Sequence, residues 1–325
     1  MSQRKMLGEF SVDELVEELR ARRGAADKAA DETPIAPRDD LAEFDSESIY
    51  GFARAEQEVI YGVDDRRDLF QVEDAQVLDD ADCVVALFAA GDIRDNGDGT
   101  STLVTENFGE RRNLCAQEPF REQPVGAFCS GFLVARQVIA TAGHCVRENN
   151  VSQIRFVFGF RMRDAGHAEV VIDNAQIYAG TRLLGREEIG TGPDWALVEV
   201  DRPVPDHRIA QIRVDGLVDD NQALHVIGHP SGLPLKVADS SIVQDNSPQE
   251  FFIANLDTYG GNSGSPVFNS DNHQVEGILV RGERDFVPLG DCTVSMVCPA
   301  NASGCRGEDC TRTSVFASLI ATDDQ

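Results

Sequence analysis

The chain has 325 residues, of which 42% are apolar, so it can bury the core of one large domain or two modest ones. Lysine and arginine number 29 against 56 aspartate and glutamate residues, which gives a formal net charge of −27. This charge opposes binding to phosphate backbones and anionic lipid, so we expect neither nucleic acid nor a membrane as a partner. No run reaches the roughly 18 apolar residues of a membrane-spanning helix.

The first 55 residues differ in composition from the rest of the chain. Ser11 and Glu14 form a capping box, and apolar residues recur at helical spacing as far as Leu19, which predicts a short amphipathic helix. A stretch rich in Ala, Asp and Pro follows and is typical of a linker. We therefore expect residues 1–55 to be a helical or disordered extension that serves as a prosegment or as a tether. Its partner would be a regulatory protein or an activating protease.

The sequence gives two opposing signals about the compartment. The N-terminal residues show no apolar core of a secretory signal peptide, which favours a cytoplasmic location. The eight cysteines favour disulfides, and therefore a secreted or periplasmic location.

Short β-type runs follow from about Val59 onward, separated by clusters of Gly, Pro, Asn or Asp. They predict an all-β unit over residues 56–325. Residues 283–325 are rich in Cys and Gly, and the segment before Val315 is predicted to form a cross-linked loop. The ten β-type runs are CVVALFAA, FCSGFLVA, QVIATA, QIRFVFGF, AEVVIDNAQIY, WALVEV, LHVIGHP, EFFIANL, SPVFN and VEGILV.

Three local motifs together supply the groups that acyl transfer by serine requires. ATAGHC places His144 after an apolar strand, GPDWALVEV places Asp194 at the start of another, and GGNSGSPVF places Ser263 among glycines. The glycines allow the amides of Gly261 and Ser263 to point at one oxygen. We predict His144, Asp194 and Ser263 as a catalytic triad, with those two amides as the oxyanion hole.

Each motif also has an ordinary structural interpretation. A single histidine after a strand is more often structural, and GNSGS could be a plain turn. The combination favours catalysis, because the order His, Asp, Ser along the chain is that of chymotrypsin-type enzymes.

ATAGHC and GGNSGSP resemble the His and Ser signatures of chymotrypsin-like (trypsin-like) serine proteases, specifically the bacterial branch related to glutamyl endopeptidases. VIYGVDDRRDLFQVED resembles the opening segment of the protease domain in that branch, and the resemblance covers about residues 56–325. It implies the chymotrypsin fold, in which two six-stranded antiparallel β-barrels pack together with the triad between them. It also implies a serine endopeptidase that acts on proteins or peptides through an acyl-enzyme and needs no cofactor.

The resemblance also suggests where a substrate side chain would bind. Asp257 occupies the position at which trypsins carry the Asp at the base of the primary pocket, which predicts cleavage after Arg or Lys. Glutamyl endopeptidases carry a neutral residue there. Asp257 could instead cap its loop or pair with Arg281, and Arg281 could itself favour acidic substrates. Thr258, Val280 and Gly282 are the other predicted pocket positions.

Two further features bear on activation and on rival functions. Asn262 stands where zymogens of animal trypsins carry an Asp, so we do not expect activation by an ion pair to a new amino terminus. The rivals to a protease specific for basic residues are an acidic-specific endopeptidase of the same fold and a catalytically silent binding module. A third possibility is that residues 1–55 bind a partner to which the protease is delivered.

The resemblance implies a disulfide between Cys129 and Cys145, which would fix the turn that carries His144. The other six cysteines allow 15 connectivities. The histidines show no metal-ligand spacing such as HExxH, so we predict no metal site.

Overall fold

The computed structural model describes residues 60–61, 64–190, 192–281, 286–289, 291–298 and 307–320. At residues 60–61 and 297–298 it describes only the backbone. Within the N-terminal extension it describes three residues, Glu18, Leu41 and Phe44. The helix predicted near residues 11–19 therefore lies outside the described residues except for Glu18, which is helical and buried.

Six antiparallel strands close the first barrel. Their neighbours run in the order β1-β2-β3-β6-β5-β4, and β4 pairs again with β1. Every residue of β2 is buried. The strands are β1 (Val84–Ala89), β2 (Cys129–Ala135), β3 (Val138–Thr141), β4 (Ile154–Val157), β5 (Ile177–Glu188) and β6 (Asp194–Val200).

A second barrel of six strands repeats this connectivity. Its neighbours run β7-β8-β9-β12-β11-β10, and the barrel closes because β7 pairs with both β8 and β10. A short strand at Arg67–Asp68 pairs with the start of β8. The strands are β7 (Ala223–Gly228), β8 (Lys236–Asp245), β9 (Phe251–Ala254), β10 (Pro266–Asn269), β11 (Val275–Arg281) and β12 (Glu308–Arg312).

One continuous cluster of buried apolar side chains joins the two barrels. It runs from Phe132 and Leu133 on β2 to Phe268 on β10 and Ile278 on β11. Because burial of apolar surface is the main stabilising term in folding, this shared core fixes the barrels against each other. It thereby sets the geometry of the groove between them.

The remaining elements are short and surround the barrels. No helix among the described residues is long and apolar enough to cross a membrane. Between residues 64 and 320, the α-helices of the described part of the chain are α1 (Ala75–Ala81) and α2 (Phe108–Arg112). The 3₁₀-helices are Leu69–Gln71, Ala90–Asp92, Val151–Gln153, Asn174–Gln176, Pro230–Gly232, Thr313–Val315 and Ala317–Leu319. The other short strands are Ile60–Tyr61, Ile93–Asp95, Thr100–Leu103, Glu106–Asn107, Pro124–Val125, Met162–Asp164, His167–Ala168, Val171–Asp173, Phe286–Leu289, Cys292–Ser295 and Val297–Cys298.

The fold confirms the predicted pair of antiparallel six-stranded barrels. The prediction of a loop between residue 283 and Val315 is wrong in two places. Phe286–Leu289 and Cys292–Ser295 form a hairpin, and β12 is a buried strand in the second barrel. A disulfide between Cys115 and Cys292 does cross-link this segment to the rest of the chain.

Candidate active site

Asp194 lies at the first position of β6 and is completely buried. Its backbone amide donates a hydrogen bond to Thr311 Oγ1 on β12 at 3.0 Å, which links the two barrels at this point. The carboxylate faces the turn after β3. There Oδ1 accepts a hydrogen bond from the backbone amide of His144 at 3.0 Å, and Oδ2 lies 2.6 Å from the ring Nδ1 of His144.

The turn that carries His144 is packed too tightly for any residue but glycine before the histidine. A Cβ atom at Gly143 would lie 2.2 Å from the carbonyl oxygen of Glu187 and 2.8 Å from that of Trp195. The Cys129–Cys145 disulfide ties the turn to β2 and confirms the predicted pairing. The side chain of His144 is only 1% exposed, so its orientation is fixed by the surrounding protein.

The loop of Ser263 connects β9 to β10 and is docked against β2. The Ser263 carbonyl oxygen accepts the amide of Ser130 at 2.9 Å and lies 3.8 Å from Cys145 Sγ, beside the His144 turn. Gly264 has φ +92°, and a Cβ atom there would lie 2.1 Å from the Ser130 carbonyl oxygen. The loop can therefore approach β2 only because residue 264 is glycine.

The backbone around Ser263 offers two amides to a ligand. Gly261 has φ +95°, and the amide of the next residue, Asn262, donates to the Tyr259 carbonyl oxygen at 3.1 Å. The amides of Gly261 and Ser263 donate to no backbone acceptor among the described residues. An oxyanion hole requires donors of this kind, held by the fold and not used within it.

Asn262 is held by neutral partners. Its Nδ2 donates to Thr258 Oγ1 at 2.5 Å, and its Oδ1 accepts the hydroxyl of Ser265 at 2.8 Å. The side chain is 2% exposed. Two neutral hydroxyl groups therefore position Asn262 and the loop around it. Thr258, predicted to line the substrate pocket, is completely buried and supports this loop.

Asp257 is 5% exposed and accepts the backbone amide of Asp65 through Oδ2 at 3.1 Å. Next to Asp65, the guanidinium of Arg66 lies 3.6 Å from the centre of the Tyr259 ring. The segment at 64–66 thus packs against the loop that contains Asp257. One carboxylate oxygen of Asp257 accepts this amide, so the side chain anchors the 64–66 segment.

The other predicted pocket residues lie on or beyond β11. Val280 is 1% exposed and belongs to the core shared by the barrels. Arg281 is buried, with its Nε 3.0 Å from Asp309 Oδ2. Its other nitrogens donate to the carbonyl oxygens of Ile189 and Gly192 at 3.2 Å and 2.5 Å. Gly282 lies outside the described residues.

Two positioning residues were not found from the sequence. Ser130 holds the Ser263 loop through its backbone, and its hydroxyl accepts the His229 amide at 2.9 Å. The sequence did contain one indication of this role. Ser130 is a polar residue inside the apolar run FCSGFLVA, and a buried hydroxyl needs a hydrogen-bond partner. Thr311 lies in the segment predicted as a loop, and no pattern there points to Asp194.

The sequence was compared with family models, curated proteins and solved structures. Residues 129–278 match the family model of the trypsin-like peptidase domain. Among solved structures, the VesB protease of Vibrio cholerae is 13% identical to this chain, with a TM-score of 0.48. The match covers 79% of this chain and 66% of VesB, which is just under two thirds of the length of VesB. Kallikrein-related peptidase 10 is 17% identical with a TM-score of 0.44, and that match covers 74% of this chain and 94% of the other. No curated protein matches the sequence significantly.

Proposed function

We propose that this chain, which contains a trypsin-like peptidase domain, cleaves peptide bonds in proteins with Ser263 as the nucleophile. One observation carries the proposal: the buried Asp194 holds His144 by its ring and by its backbone, on a turn that packs against the Ser263 loop. A carboxylate, an imidazole and a serine in this order are the parts of a nucleophilic triad.

In the proposed mechanism, Ser263 Oγ attacks the carbonyl carbon of the peptide while its proton passes to Nε2 of His144. Asp194 keeps the other ring proton on Nδ1 and stabilises the imidazolium that forms. The amine leaves with the proton from His144, and the acyl group stays on Ser263. Water then attacks the acyl carbon while its proton passes to Nε2 of His144. The bond between the acyl carbon and Ser263 Oγ breaks, the acid leaves, and His144 returns the proton to Ser263 Oγ, which regenerates the enzyme.

The negative charge of the tetrahedral intermediate would be stabilised by the amides of Gly261 and Ser263. These donors are fixed before substrate binds, because Gly264 and Ser130 lock the loop against β2. Loss of one such donor typically costs 10²–10³ in kcat, so this loop would contribute substantially to the proposed rate, although less than the triad.

For specificity, we favour cleavage after Arg or Lys, with Asp257 as the recognition residue. A buried carboxylate binds a guanidinium or an ammonium group strongly. A free guanidinium at Arg281 would favour acidic substrates. It is instead bound to Asp309 and to two backbone carbonyl oxygens. Basic substrates therefore fit this arrangement better than acidic ones.

Residues 1–55 are proposed as a prosegment or a tether. Equal activity of the full chain and of a chain that begins at residue 56 would exclude the inhibitory role. Capture of a partner by the isolated segment would support the tether.

The nucleophile is tested with the Ser263→Ala variant and a fluorophosphonate probe. We expect the wild-type protein to cleave casein and to be labelled at residue 263, and the variant to do neither. Ser240→Ala is the matched control, because Ser240 is exposed and should leave both readouts unchanged. Labelling that persists in Ser263→Ala would move the nucleophile elsewhere. A folded wild-type protein that is neither labelled nor active would favour the silent binding module.

Specificity is tested by profiling cleavage of a peptide library with wild-type and Asp257→Asn proteins. The asparagine oxygen can still accept the Asp65 amide, so the loop keeps its anchor. We expect kcat/KM for substrates with Arg or Lys before the cleaved bond to fall about 10- to 100-fold, as for the loss of a hydrogen bond between charged groups. An unchanged profile would assign Asp257 a purely structural role.

A further inference from the structure

Three potential metal ligands, none of them a residue predicted for the triad, meet in one cluster. Asp80 lies near the end of α1, His225 on β7, and His273 in the turn between β10 and β11. One ligand atom from each lies within 4.8 Å of the other two. Spacing along the chain could not reveal this cluster, because its three residues come from separate elements that only the fold brings together.

The three groups converge on a single carboxylate oxygen. Asp80 Oδ2 lies 3.0 Å from His225 Nε2 and 2.5 Å from His273 Nδ1. Asp80 is completely buried, and the side chains of His225 and His273 are 2% and 14% exposed. Asp80 and His225 are therefore enclosed by protein, and the cluster reaches solvent at His273.

The atoms around the cluster orient its members. Arg208 forms an ion pair with the other carboxylate oxygen of Asp80, Oδ1, which leaves Oδ2 directed at the imidazoles. Nδ1 of His225 lies 3.1 Å from Ser270 Oγ, and the ring stacks on Phe268 with centroids 5.0 Å apart. Metal-binding histidines and carboxylates usually have such outer partners, which fix the tautomer and the direction of the lone pair.

We infer that Asp80, His225 and His273 form a binding site for a divalent transition metal ion of the zinc class. Two imidazoles with one carboxylate suit Zn²⁺, and water would complete a tetrahedral site on the exposed side of His273. Ligand atoms about 2.0–2.1 Å from zinc are about 3.3 Å from one another in a tetrahedron. Nε2 of His225, at 3.0 Å from Asp80 Oδ2, is already near this separation. Nδ1 of His273, at 2.5 Å, would have to move by under about 1 Å, which its partly exposed turn permits.

Binding requires no unusual protonation. Each imidazole coordinates as a neutral ring through the nitrogen that now faces Asp80, so its proton resides on the other ring nitrogen. For His225 that nitrogen is Nδ1, which then donates to Ser270 Oγ. The metal would tie α1, which leads into the first barrel, to two elements of the second barrel.

The test uses the full chain stripped with EDTA and titrated with Zn²⁺ by calorimetry, with bound zinc counted by elemental analysis. We expect one equivalent in the wild-type protein and at least a tenfold loss of affinity in His273→Asn. Asparagine is chosen because residue 273 has φ +59°, a conformation that asparagine tolerates. Zinc should also raise the Tm of the wild-type protein and not that of the variant, because a ligand stabilises the state that binds it.

Two controls separate this site from other zinc-binding groups. His167→Asn removes an exposed histidine elsewhere, and His144→Ala removes the active-site imidazole; both should keep the one equivalent. Co²⁺ in place of Zn²⁺ should give a visible spectrum without a thiolate band, which excludes cysteine ligands. The proposal is overturned if the wild-type protein binds no zinc at micromolar concentration, or if His273→Asn binds it with unchanged affinity.

Discussion

The carboxylate of Asp194 contacts His144 through both of its oxygens. Oδ2 lies 2.6 Å from the ring Nδ1, and Oδ1 accepts the backbone amide at 3.0 Å. The first contact places the ring proton on Nδ1 and the lone pair on Nε2. The second anchors the turn itself, so one buried side chain controls both the tautomer of the base and the position of its backbone.

Asp194→Asn should leave the fold intact and remove most of the activity. The asparagine oxygen can still accept the His144 amide, but its NH₂ group would face Nδ1 and favour the tautomer that leaves no lone pair on Nε2. In the serine triad this change costs about 10⁴ in kcat. Steady-state kinetics and a circular dichroism spectrum check the two halves of the prediction. Wild-type kcat in the variant would exclude His144 as the general base.

Gly264→Ala should inactivate the enzyme by displacing the nucleophile loop. The added Cβ would lie 2.1 Å from the Ser130 carbonyl oxygen and 2.4 Å from Thr141 Oγ1. Gly99→Ala is the matched control, since Gly99 has φ +91° but nothing within 4 Å of the added atom. The control should lose only the cost of the left-handed conformation, about 1–2 kcal/mol of unfolding free energy, and keep its kcat/KM. Equal effects of the two substitutions on kcat/KM would contradict the close packing at Ser130.

Removing each of the two disulfides found among the described residues should affect stability and activity to different degrees. Cys115–Cys292 spans 177 residues and Cys129–Cys145 spans 16, so the chain-entropy model assigns them about 5 and about 3 kcal/mol of unfolding free energy. Replacing each pair with alanines should therefore destabilise the protein more for the long bridge. Activity should fall more for the short one, which carries the His144 turn. Urea unfolding and peptide hydrolysis of both double variants check this, and the reverse order of activity loss would contradict it.

The barrels could be predicted because most of their strands are short apolar runs between turn residues. All ten predicted runs overlap an observed strand. The predictions failed where burial does not require an apolar sequence. β8 and β12 read KVADSSIVQD and EDCTR, and they are strands because their neighbours in the closed barrel satisfy their backbone groups. In β12, the buried Asp309 is paired with Arg281, which no local pattern shows.

The candidate active site likewise contains some features that the sequence could predict and others that it could not. The residues predicted for the triad lie in motifs whose glycines are explained by contacts, such as Gly143 against the carbonyl oxygen of Glu187. Contacts between distant segments could not be foreseen, because spacing carries no information about them. The bond from Ser130 to the Ser263 loop and the convergence of His225 and His273 on Asp80 are of this kind.

A buried histidine gives the protein a specific acid sensitivity. His229 is 1% exposed, and its Nδ1 donates to the Leu233 carbonyl oxygen at 3.0 Å. Burial, which disfavours the charged ring, lowers the pKa of His229 from 6.5 to about 3, and nearby Lys236 acts in the same direction. The unfolded chain, with the higher pKa, therefore binds the proton first as the pH falls.

Between pH 6.5 and about 3 the unfolded state binds one more proton than the folded state at His229, so stability should fall as the pH decreases through this window. The slope from this residue approaches about 1.4 kcal/mol per pH unit, and its total is about 5 kcal/mol. His229→Asn keeps a donor for Leu233 but cannot titrate, so the difference between its pH profile and that of the wild-type protein isolates the effect. Urea unfolding in a Ser263→Ala background avoids self-digestion, and the exposed His167→Asn change should leave the profile unaltered. If the stabilities of the wild-type protein and of His229→Asn change in parallel below pH 6.5, the prediction is wrong. His229 would then be protonated in the folded protein and would have a partner other than the Leu233 carbonyl oxygen.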